Sequence, residues 1–486
     1  MLKLNLYFIF ILLIPIINIG LIKVFFKNEK LLDLIYKISP ILSLIGLMTI
    51  FRFLKHNDIV LNLLYFNHDI LMGFLVNKSV FILLVSLDLV WLLFIFYSSR
   101  YFVLNKNNNS ENLKIAFIFI VFFLHLIIIS KDLLSLLLFY SLTIIFSYIF
   151  SSKYLFKTET KFSLFFNFLI YLELFFLFLA IVLTYKFAGS LYLDQSKISL
   201  INNKYVLLLF LLFFAGVFLP ILIPLYLYFH EAKLNPFVVY IFYCIAFAFI
   251  SAVIFIKILK NIFGMHLLYD MNQSINFISY LNIIIIFNLL VISVFAIRAD
   301  NIKSLFFYIF FHQFLMMIFS INFFSIYDIT KLYVPLFSFL FTMTTLFFTF
   351  NNISLYYDHH NSSSNQGLFQ IMPINHTFLI FAFSAIIGIM PSYGMVDKFF
   401  VLKNIIKEEN FNSFIIILIN FFSIIIIYFK NFKLIFTKIN TEKTKQNNDF
   451  AEHLESDSSL SVTNFISVII LFSGIILFPI LAKFIT

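Results

Sequence analysis

About fourteen apolar segments follow one another along the chain, each near the roughly 20 residues that a helix needs to cross a lipid bilayer. With 62% hydrophobic and 12% charged residues among 486, and a mean hydropathy of +1.04, the sequence excludes an ordinary soluble protein. It predicts an all-α transmembrane fold of about 14 helices. The predicted spans begin near Leu4, Leu32, Ser79, Leu113, Leu133, Phe162, Tyr205, Pro236, Ile275, Ser304, Leu332, His376, Phe411 and Thr463.

Charge and cysteine content exclude several kinds of site. The single cysteine, Cys244, cannot form an intrachain disulfide or a cysteine-ligated metal or iron–sulfur centre. The net charge of +10 is spread through the loops and is not arranged as a stripe that would bind nucleic acid. We therefore expect no cofactor, no metal site and no nucleic-acid partner. The first apolar run has no small-residue cleavage site, so we expect no removable signal peptide.

The twelfth predicted span is interrupted by Gly388, Pro391 and Gly394, and Lys398 follows about one turn later. Proline removes a backbone donor and clashes with the preceding turn. In hydrocarbon such a break is tolerated only where other helices or trapped water satisfy the freed carbonyls. A cation beside a broken transmembrane helix indicates a functional site. The alternative is a helix end whose lysine extends to the lipid headgroups.

A second interrupted span is the seventh, which contains Pro220 and Pro224. Two broken spans in corresponding positions of two halves are typical of an inverted-repeat transporter. Here the broken spans lie five spans apart, which favours two inverted five-helix repeats with broken helices seven and twelve.

Two longer hydrophilic stretches, Asn352–Gln370 and Thr441–Ser461, are interpreted as solvated connectors. Neither has the spacing of a metal site. The adjacent histidines His359 and His360 lie in a stretch rich in Ser and Asn, and we expect no metal there.

Five short stretches have an order and spacing that match motifs of one membrane-protein family. They are Asn77 with Tyr97-Ser-Ser-Arg-Tyr101; the run from Lys131 to Tyr148; the run from Pro224 to Pro236; Asn301-Ile-Lys303-Ser-Leu-Phe-Phe-Tyr308-Ile-Phe-Phe-His312-Gln313; and Met372-Pro373 with Gly388-Ile-Met-Pro-Ser-Tyr-Gly394-Met-Val-Asp-Lys398. The fourth resembles the motif DIKRxLAYSTxSQ, and the last resembles GIPPxxGFxSK. Together they resemble the antiporter-like membrane subunits of respiratory complex I and of Mrp-type cation/proton antiporters.

The resemblance implies fourteen spans, two inverted five-helix bundles, and proton transfer along buried Glu, Lys and His side chains near the middle of the membrane. It implies partner membrane-arm subunits, the lipid bilayer and protons as partners, in a bacterial or mitochondrial inner membrane. It divides the chain into N-terminal spans (1–110), a first antiporter-like half (111–262), a second half (263–405) and C-terminal spans (406–486) with a polar connector (441–461). Any NADH or quinone chemistry would belong to partner subunits, so this chain is at most a non-catalytic, proton-translocating subunit.

The departures from the family pattern fall mainly in the first half. Ser141 stands where the family has the glutamate of span five, and Leu219 where it has the lysine of span seven. The run from Cys244 to Ser251 lacks the basic residue of span eight, and the run from Leu332 to Phe350 lacks the His/Lys cluster of span eleven. We therefore expect a degenerate first half.

The remaining candidates for a proton pathway are Lys398, Glu173, Lys303 and Glu231. Each has a structural alternative: Glu173 as a neutral carboxyl bonded within the bundle, Lys303 as a capping or interfacial lysine, and Glu231 as a loop carboxylate. The two histidines His125 and His312 are predicted to be packed, neutral core residues.

Three functions remain open at this point. The leading one is a proton-translocating subunit of a complex I-type membrane arm, with a half-channel centred on Lys398. The second is a subunit of a Mrp-type multisubunit cation/proton antiporter, because both classes share the matched motifs. The third is a non-conducting structural membrane subunit.

The charge of two loops predicts that both termini lie outside. The two most basic loops lie on the same side of the membrane, and positively charged loops stay on the inside. The loop after the first span carries Lys23, Lys27, Lys30 and Lys37, and the last loop carries Lys430, Lys433, Lys438, Lys443 and Lys445. In a Cys244→Ser background, an impermeant thiol reagent added outside should label Leu2→Cys and leave Ile435→Cys unlabelled. The reverse labelling would contradict this topology.

Overall fold

The computed structural model describes residues 2–24, 29–54, 58–67, 70–105, 110–155, 161–193, 203–222, 239–299, 302–327, 331–360, 372–389, 391–408, 411–436, 454 and 457–474. In these ranges the chain is almost entirely helical. The helices are α1 Leu2–Val24, α2 Glu29–Leu54, α3 Lys78–Asn105, α4 Ser110–Ile129, α5 Leu133–Leu155, α6 Lys161–Ala188, α7 Asn203–Leu222, α8 (residues 239–275), α9 Phe277–Arg298, α10 Ile302–Tyr327, α11 Tyr333–His360, α12 Pro373–Ile387, α13 Tyr393–Glu408, α14 Phe411–Phe436 and α15 Ser458–Phe472.

The predicted α-helical transmembrane fold is confirmed. Among the described residues, nine helices are long and apolar enough to cross a membrane, and five shorter helices are also apolar. Together they account for the expected number of spans, near 14. The remaining helix, α13, follows the interruption after α12, so the twelfth span consists of two helical pieces.

By its internal contacts the chain divides into two compact units. Residues 1–220, 245–267 and 481–486 form the first unit, and residues 221–244 and 268–480 form the second. The first unit contains α1–α6, nearly all of α7 and the middle of α8. The second contains the last two residues of α7, both ends of α8, and α9–α15. The four-part division at residues 110, 262 and 405 stays a prediction.

A β-hairpin in the first unit was not foreseen from the sequence. Strands β1 (Ile59–Asn67) and β2 (Ile70–Val76) pair antiparallel, with Ile59 opposite Val76. The Gly73 amide donates to Asp132 Oδ2 at 2.9 Å, and the Gly73 carbonyl accepts from the Lys131 amide at 2.9 Å. These bonds attach the hairpin to the short connection between α4 and α5. The hairpin has a nearly continuous apolar sequence, which lacks the alternation of apolar and polar residues by which a half-exposed strand is recognised.

Helix α8 contains a buried lysine that the family pattern does not predict, because it lies beyond residues 244–251, where the family has its basic residue. Two π-helical stretches, Val239–Phe249 and Leu259–Phe263, flank a central α-helical stretch. From this central stretch Lys257 Nζ donates to the carbonyls of Ile127 and Ser130, both at 2.8 Å, and to Ser130 Oγ at 3.3 Å. The ammonium therefore caps the C-terminal end of α4, where a cation is favourable.

The first expected connector is shorter than predicted. α11 continues to His360, and Asn352, expected to be solvated, is buried and donates to Asn375 Oδ1 at 2.9 Å. A buried amide is acceptable in a helix when a neighbouring helix satisfies it. The second connector is also shorter at its C-terminal end, because Asp457 caps α15 through the Ser459 amide at 3.1 Å and the helix begins at Ser458.

Candidate functional site

In the second unit five residues interrupt the helical path between α12 and α13. Gly388 adopts φ +97°, a left-handed conformation that favours glycine. The Gly388 and Ile389 amides both donate to the Ser384 carbonyl, at 3.0 and 2.9 Å, which closes the end of α12. Ser392 Oγ accepts from the Met395 amide at 3.2 Å and caps the start of α13. The interruption therefore has its own hydrogen bonds at both ends.

The two glycines of the interruption allow α12 and α13 to touch through their backbones. A Cβ atom added at Gly394 would lie 2.0 Å from the Ala385 carbonyl oxygen. One added at Gly388 would lie 2.9 Å from Lys398 Cδ. The stem of Lys398 therefore lies directly over Gly388, and its position depends on the absence of a side chain there.

Lys398 Nζ is buried, and it has no hydrogen-bond partner among the described residues. Its stem is only half-buried, so the side chain carries its amine inward. The stem passes over Gly388, at the C-terminal end of α12, where the partial negative charge of a helix favours a cation. A lysine that anchors a helix at the headgroups places its charge in water, whereas the Lys398 amine is buried within the protein.

Asp397 provides a carboxylate beside this amine. It is buried on α13, and Ser320 on α10 donates to its Oδ2 at 3.2 Å. Its Oδ1 has no hydrogen-bond partner within the described ranges. Lys398 follows Asp397 directly on the same helix, and opposite charges favour each other in a low-dielectric interior. The sequence analysis quoted Asp397 within a motif but assigned it no role.

His312 on α10 is the third titratable side chain of this cluster. It is fully buried, and its Nε2 lies 2.9 Å from Ser423 Oγ on α14. The cluster of Asp397, Lys398 and His312 thus joins residues from α10 and α13 and contacts α14. We refer to these three residues as the α13 cluster.

Glu173 is the corresponding buried acid of the first unit. Tyr140 Oη donates to its Oε2 at 3.4 Å, and the Leu219 backbone also lies within hydrogen-bonding range of the carboxyl. Its Oε1 has no partner in the part of the chain that the structure describes. The neighbouring Ser141 hydroxyl donates only to the Leu138 carbonyl of its own helix, at 2.8 Å. Glu173 therefore contacts Tyr140, which precedes Ser141, and the backbone of Leu219. Ser141 and Leu219 are the two positions at which the family's charged pair is replaced.

The other predicted site residues are spread through both units. Lys303 is the second residue of α10 and is half-buried. Pro220 lies in the last turn of α7, and Pro391 lies exposed between α12 and α13. Glu231 and Pro224 lie outside the described residues.

The sequence analysis also did not predict a buried histidine–aspartate pair in the first unit. His125 Nε2, on α4, lies 2.9 Å from Asp88 Oδ1 on α3, and Ser43 on α2 donates to Asp88 Oδ2 at 2.5 Å. His125, expected to be a packed core histidine, thus has a carboxylate partner. A signal was present in the sequence, since an isolated Asp in an apolar span needs a partner.

Comparison with known proteins places this fold in a family. The sequence profile described as "NADH:quinone oxidoreductase/Mrp antiporter, TM" matches residues 130–426, which is more than half of the chain. The chain belongs to this NADH:quinone oxidoreductase/Mrp antiporter family. It is therefore an integral membrane protein, and the resemblance found in the sequence is confirmed. No curated protein matches the chain in a sequence search.

Two solved structures share the fold at low sequence identity. The first is a chain of the membrane-bound sulfane sulfur reductase, described as an archaeal respiratory membrane complex, with 16% identity and a TM-score of 0.74 over 96% of this chain and 75% of that one. The second is a chain of the Mrp complex from Dietzia sp., with 12% identity and a TM-score of 0.76. That match covers 99% of this chain but only 52% of the Mrp chain, so this chain spans about half its length.

The close contact of α12 and α13 predicts that Gly394 cannot carry a side chain. Gly394→Ala places Cβ 2.0 Å from a backbone oxygen, so the helices must separate. We expect a stability loss of about 1–3 kcal/mol, typical of overpacking. Thermal unfolding of the purified protein measures this loss. Gly20→Ala is the matched control, because nothing lies within 4 Å of its added Cβ. Equal melting temperatures for both variants would contradict the contact.

Proposed function

We propose that this chain is a proton-translocating membrane subunit of a respiratory complex of the complex I type, and that Lys398 is its proton-exchange residue. The observation that carries the proposal is the buried Lys398 amine, beside Asp397 and at the end of α12, with no hydrogen-bond partner among the described residues. Membership of the family and the fold shared with a chain of a respiratory membrane complex support it.

The chemistry of a buried amine suits proton exchange. Inserting a charged lysine at the centre of a spanning helix costs roughly 2.5–3.5 kcal/mol on insertion scales. Asp397 and the C-terminal end of α12 offset part of this cost when the amine is protonated. Because these contributions depend on neighbouring charge, a change of charge nearby shifts the balance between ammonium and amine. The site can therefore take up a proton in one charge state of its surroundings and release it in another.

The first half is proposed not to conduct protons through the family's pair of positions. Ser141 and Leu219 cannot ionise in the membrane, and the Ser141 hydroxyl is satisfied by its own helix. Lys257 is the buried cation of this half, and its three bonds to Ile127 and Ser130 hold its ammonium in a structural role. We also propose Glu173, Lys303 and Glu231 as pathway residues, although none of them belongs to the α13 cluster.

A subunit of a Mrp-type multisubunit cation/proton antiporter is the second candidate. The fold shared with a chain of the Mrp complex favours it. In either case the chain is proposed to work with other membrane subunits. Electron transfer would take place in partner subunits, and this chain would be a non-catalytic, proton-translocating component.

Replacing the amine tests the proposal. In inverted membrane vesicles that hold the assembled complex, respiration-driven acidification should fall on the order of a hundredfold in Lys398→Met. Lys398→Arg should be nearly as defective, because a guanidinium does not release its proton in proteins. In vesicles with an imposed pH gradient, dissipation by added Na⁺ or K⁺ that Lys398→Met abolishes would instead assign the chain to the antiporter class.

Two variants serve as controls. Lys403→Met removes an exposed lysine from the same helix, and Ser141→Ala removes a hydroxyl that bonds only to its own helix. Both should transport like the wild type. If Lys398→Met assembles and transports normally, Lys398 is a structural lysine and the non-conducting subunit becomes the best reading. A large loss in Ser141→Ala would show that the first half conducts after all.

A further inference from the structure

We propose that a groove between α1 and α2 binds an anionic phospholipid, with one acyl chain along the groove and the headgroup beside the basic loop that joins the two helices. This inference is independent of the role proposed for Lys398. Its basis is an apolar groove of about 300 Å³ in the first unit, with polar groups toward one end and clustered positive charge beyond that end.

The groove runs along two antiparallel helices that touch at its floor. At one level Asn18 Nδ2 donates to Ser39 Oγ at 2.6 Å. At another level, a Cβ atom added at Gly46 would lie 2.7 Å from Ile11 Cγ1, so the missing side chain lets Ile11 lie against α2. These four residues are buried, and the contacts between them close the floor of the groove. The rims are exposed apolar side chains: Phe10, Ile17, Leu34, Leu42 and Ile45.

The dimensions of the groove favour a single hydrocarbon chain. Its lining on α1 extends from Phe10 to Leu21, which is roughly 16 Å at 1.5 Å per residue. A partner helix of that length, about 10–12 Å across with its side chains, would occupy more than about 1,000 Å³. That is several times the volume of the groove. The groove therefore accommodates one extended chain of methylene groups, and its apolar rims favour such a chain over water.

The polar groups of the groove lie toward the loop between α1 and α2. Asn18 is in the last two turns of α1, and its Oδ1 is buried without a hydrogen-bond partner among the described residues. At the other end the groove is lined by apolar side chains, such as Phe10 and Ile45. This gradient matches an amphiphile whose polar part lies at the loop. Water that accompanies the ester groups of a lipid can donate to Asn18 Oδ1.

Positive charge is clustered at the same end of these helices. Residues 23–37 and 100–114 together contain seven Lys or Arg and only three Asp or Glu. Within them, Lys37 on α2 is partly exposed and pairs with Asp33 at 2.5 Å. Lys114 on α4 lies 4.9 Å from the centre of an aromatic ring of α2, so the two stretches meet in space. Basic clusters at the end of a transmembrane helix attract anionic lipid headgroups. The occupant is therefore expected to be anionic.

Photolabelling of the assembled complex tests this site. The probe is phosphatidylglycerol with a diazirine on one acyl chain, in vesicles of phosphatidylcholine. Illumination should attach it to peptides of α1 and α2, and added phosphatidylglycerol should compete better than added phosphatidylcholine. Leu42→Trp places a larger side chain at the rim, so labelling should fall roughly tenfold. Ile41→Trp is the matched control, because Ile41 is also exposed but does not line the groove.

A second pair of variants tests the headgroup. Lys37→Gln should reduce the advantage of phosphatidylglycerol over phosphatidylcholine as a competitor. Lys186→Gln, which removes an exposed lysine of α6, should leave that advantage unchanged. If Leu42→Trp does not assemble, this pair decides: a reduced advantage in Lys37→Gln alone supports the site, and equal competition in both variants rejects it.

Three results would overturn the inference. Equal labelling in Leu42→Trp and Ile41→Trp would show that the lipid does not lie in the groove. Equal competition by the two lipids in the wild type would show that the site does not select an anionic headgroup. Absence of label from α1 and α2 in the assembled complex would show that a partner subunit covers the groove. Lys398→Met should label like the wild type, so the lipid site and the proposed transport function fail independently.

Discussion

The close approach of α12 and α13 is the contact on which the candidate site depends. A helix interrupted inside a membrane must satisfy the backbone groups that the interruption frees. Here Ser384 and Ser392 do so at the two ends, and the absence of side chains at Gly388 and Gly394 lets the helices meet backbone to backbone. Because of that contact the Lys398 stem lies over the end of α12, and the Lys398 amine is buried inside the protein.

Both units contain buried ionisable groups. In the first, Lys257 and Asp132 bind backbone groups and His125 pairs with Asp88, whereas Glu173 Oε1 has no hydrogen-bond partner among the described residues. Burial raises the pKa of Asp132, which lies between α4 and α5, while its bonds from the Ser135 and Gly73 amides act in the opposite direction. In the second unit, Lys398 Nζ and Asp397 Oδ1 retain unused hydrogen-bonding capacity within the described residues. Lys398, the residue proposed above to exchange protons, is among the groups with unused capacity.

The sequence predicted the fold class and the number of spans because each depends on the length and polarity of local segments. It also placed an interruption near Gly388, since glycine and proline act locally. It missed the hairpin, whose apolar run has no alternation, and the role of Asp397, which depends on Ser320 of a distant helix. The contact of His312 with Ser423 joins residues 111 positions apart, and no local pattern encodes it. Pairings across helices decide the site, and a single sequence does not reveal them.

Solid-state nitrogen NMR of the assembled complex, with this subunit's lysines labelled with ¹⁵N, shows directly whether Lys398 exchanges protons. We expect one side-chain resonance that changes between ammonium and amine across the pH range in which the complex transports. That resonance should be absent in Lys398→Met and unaffected in Lys403→Met. If every lysine side chain remains an ammonium throughout that range, Lys398 does not exchange protons, which contradicts its proposed role.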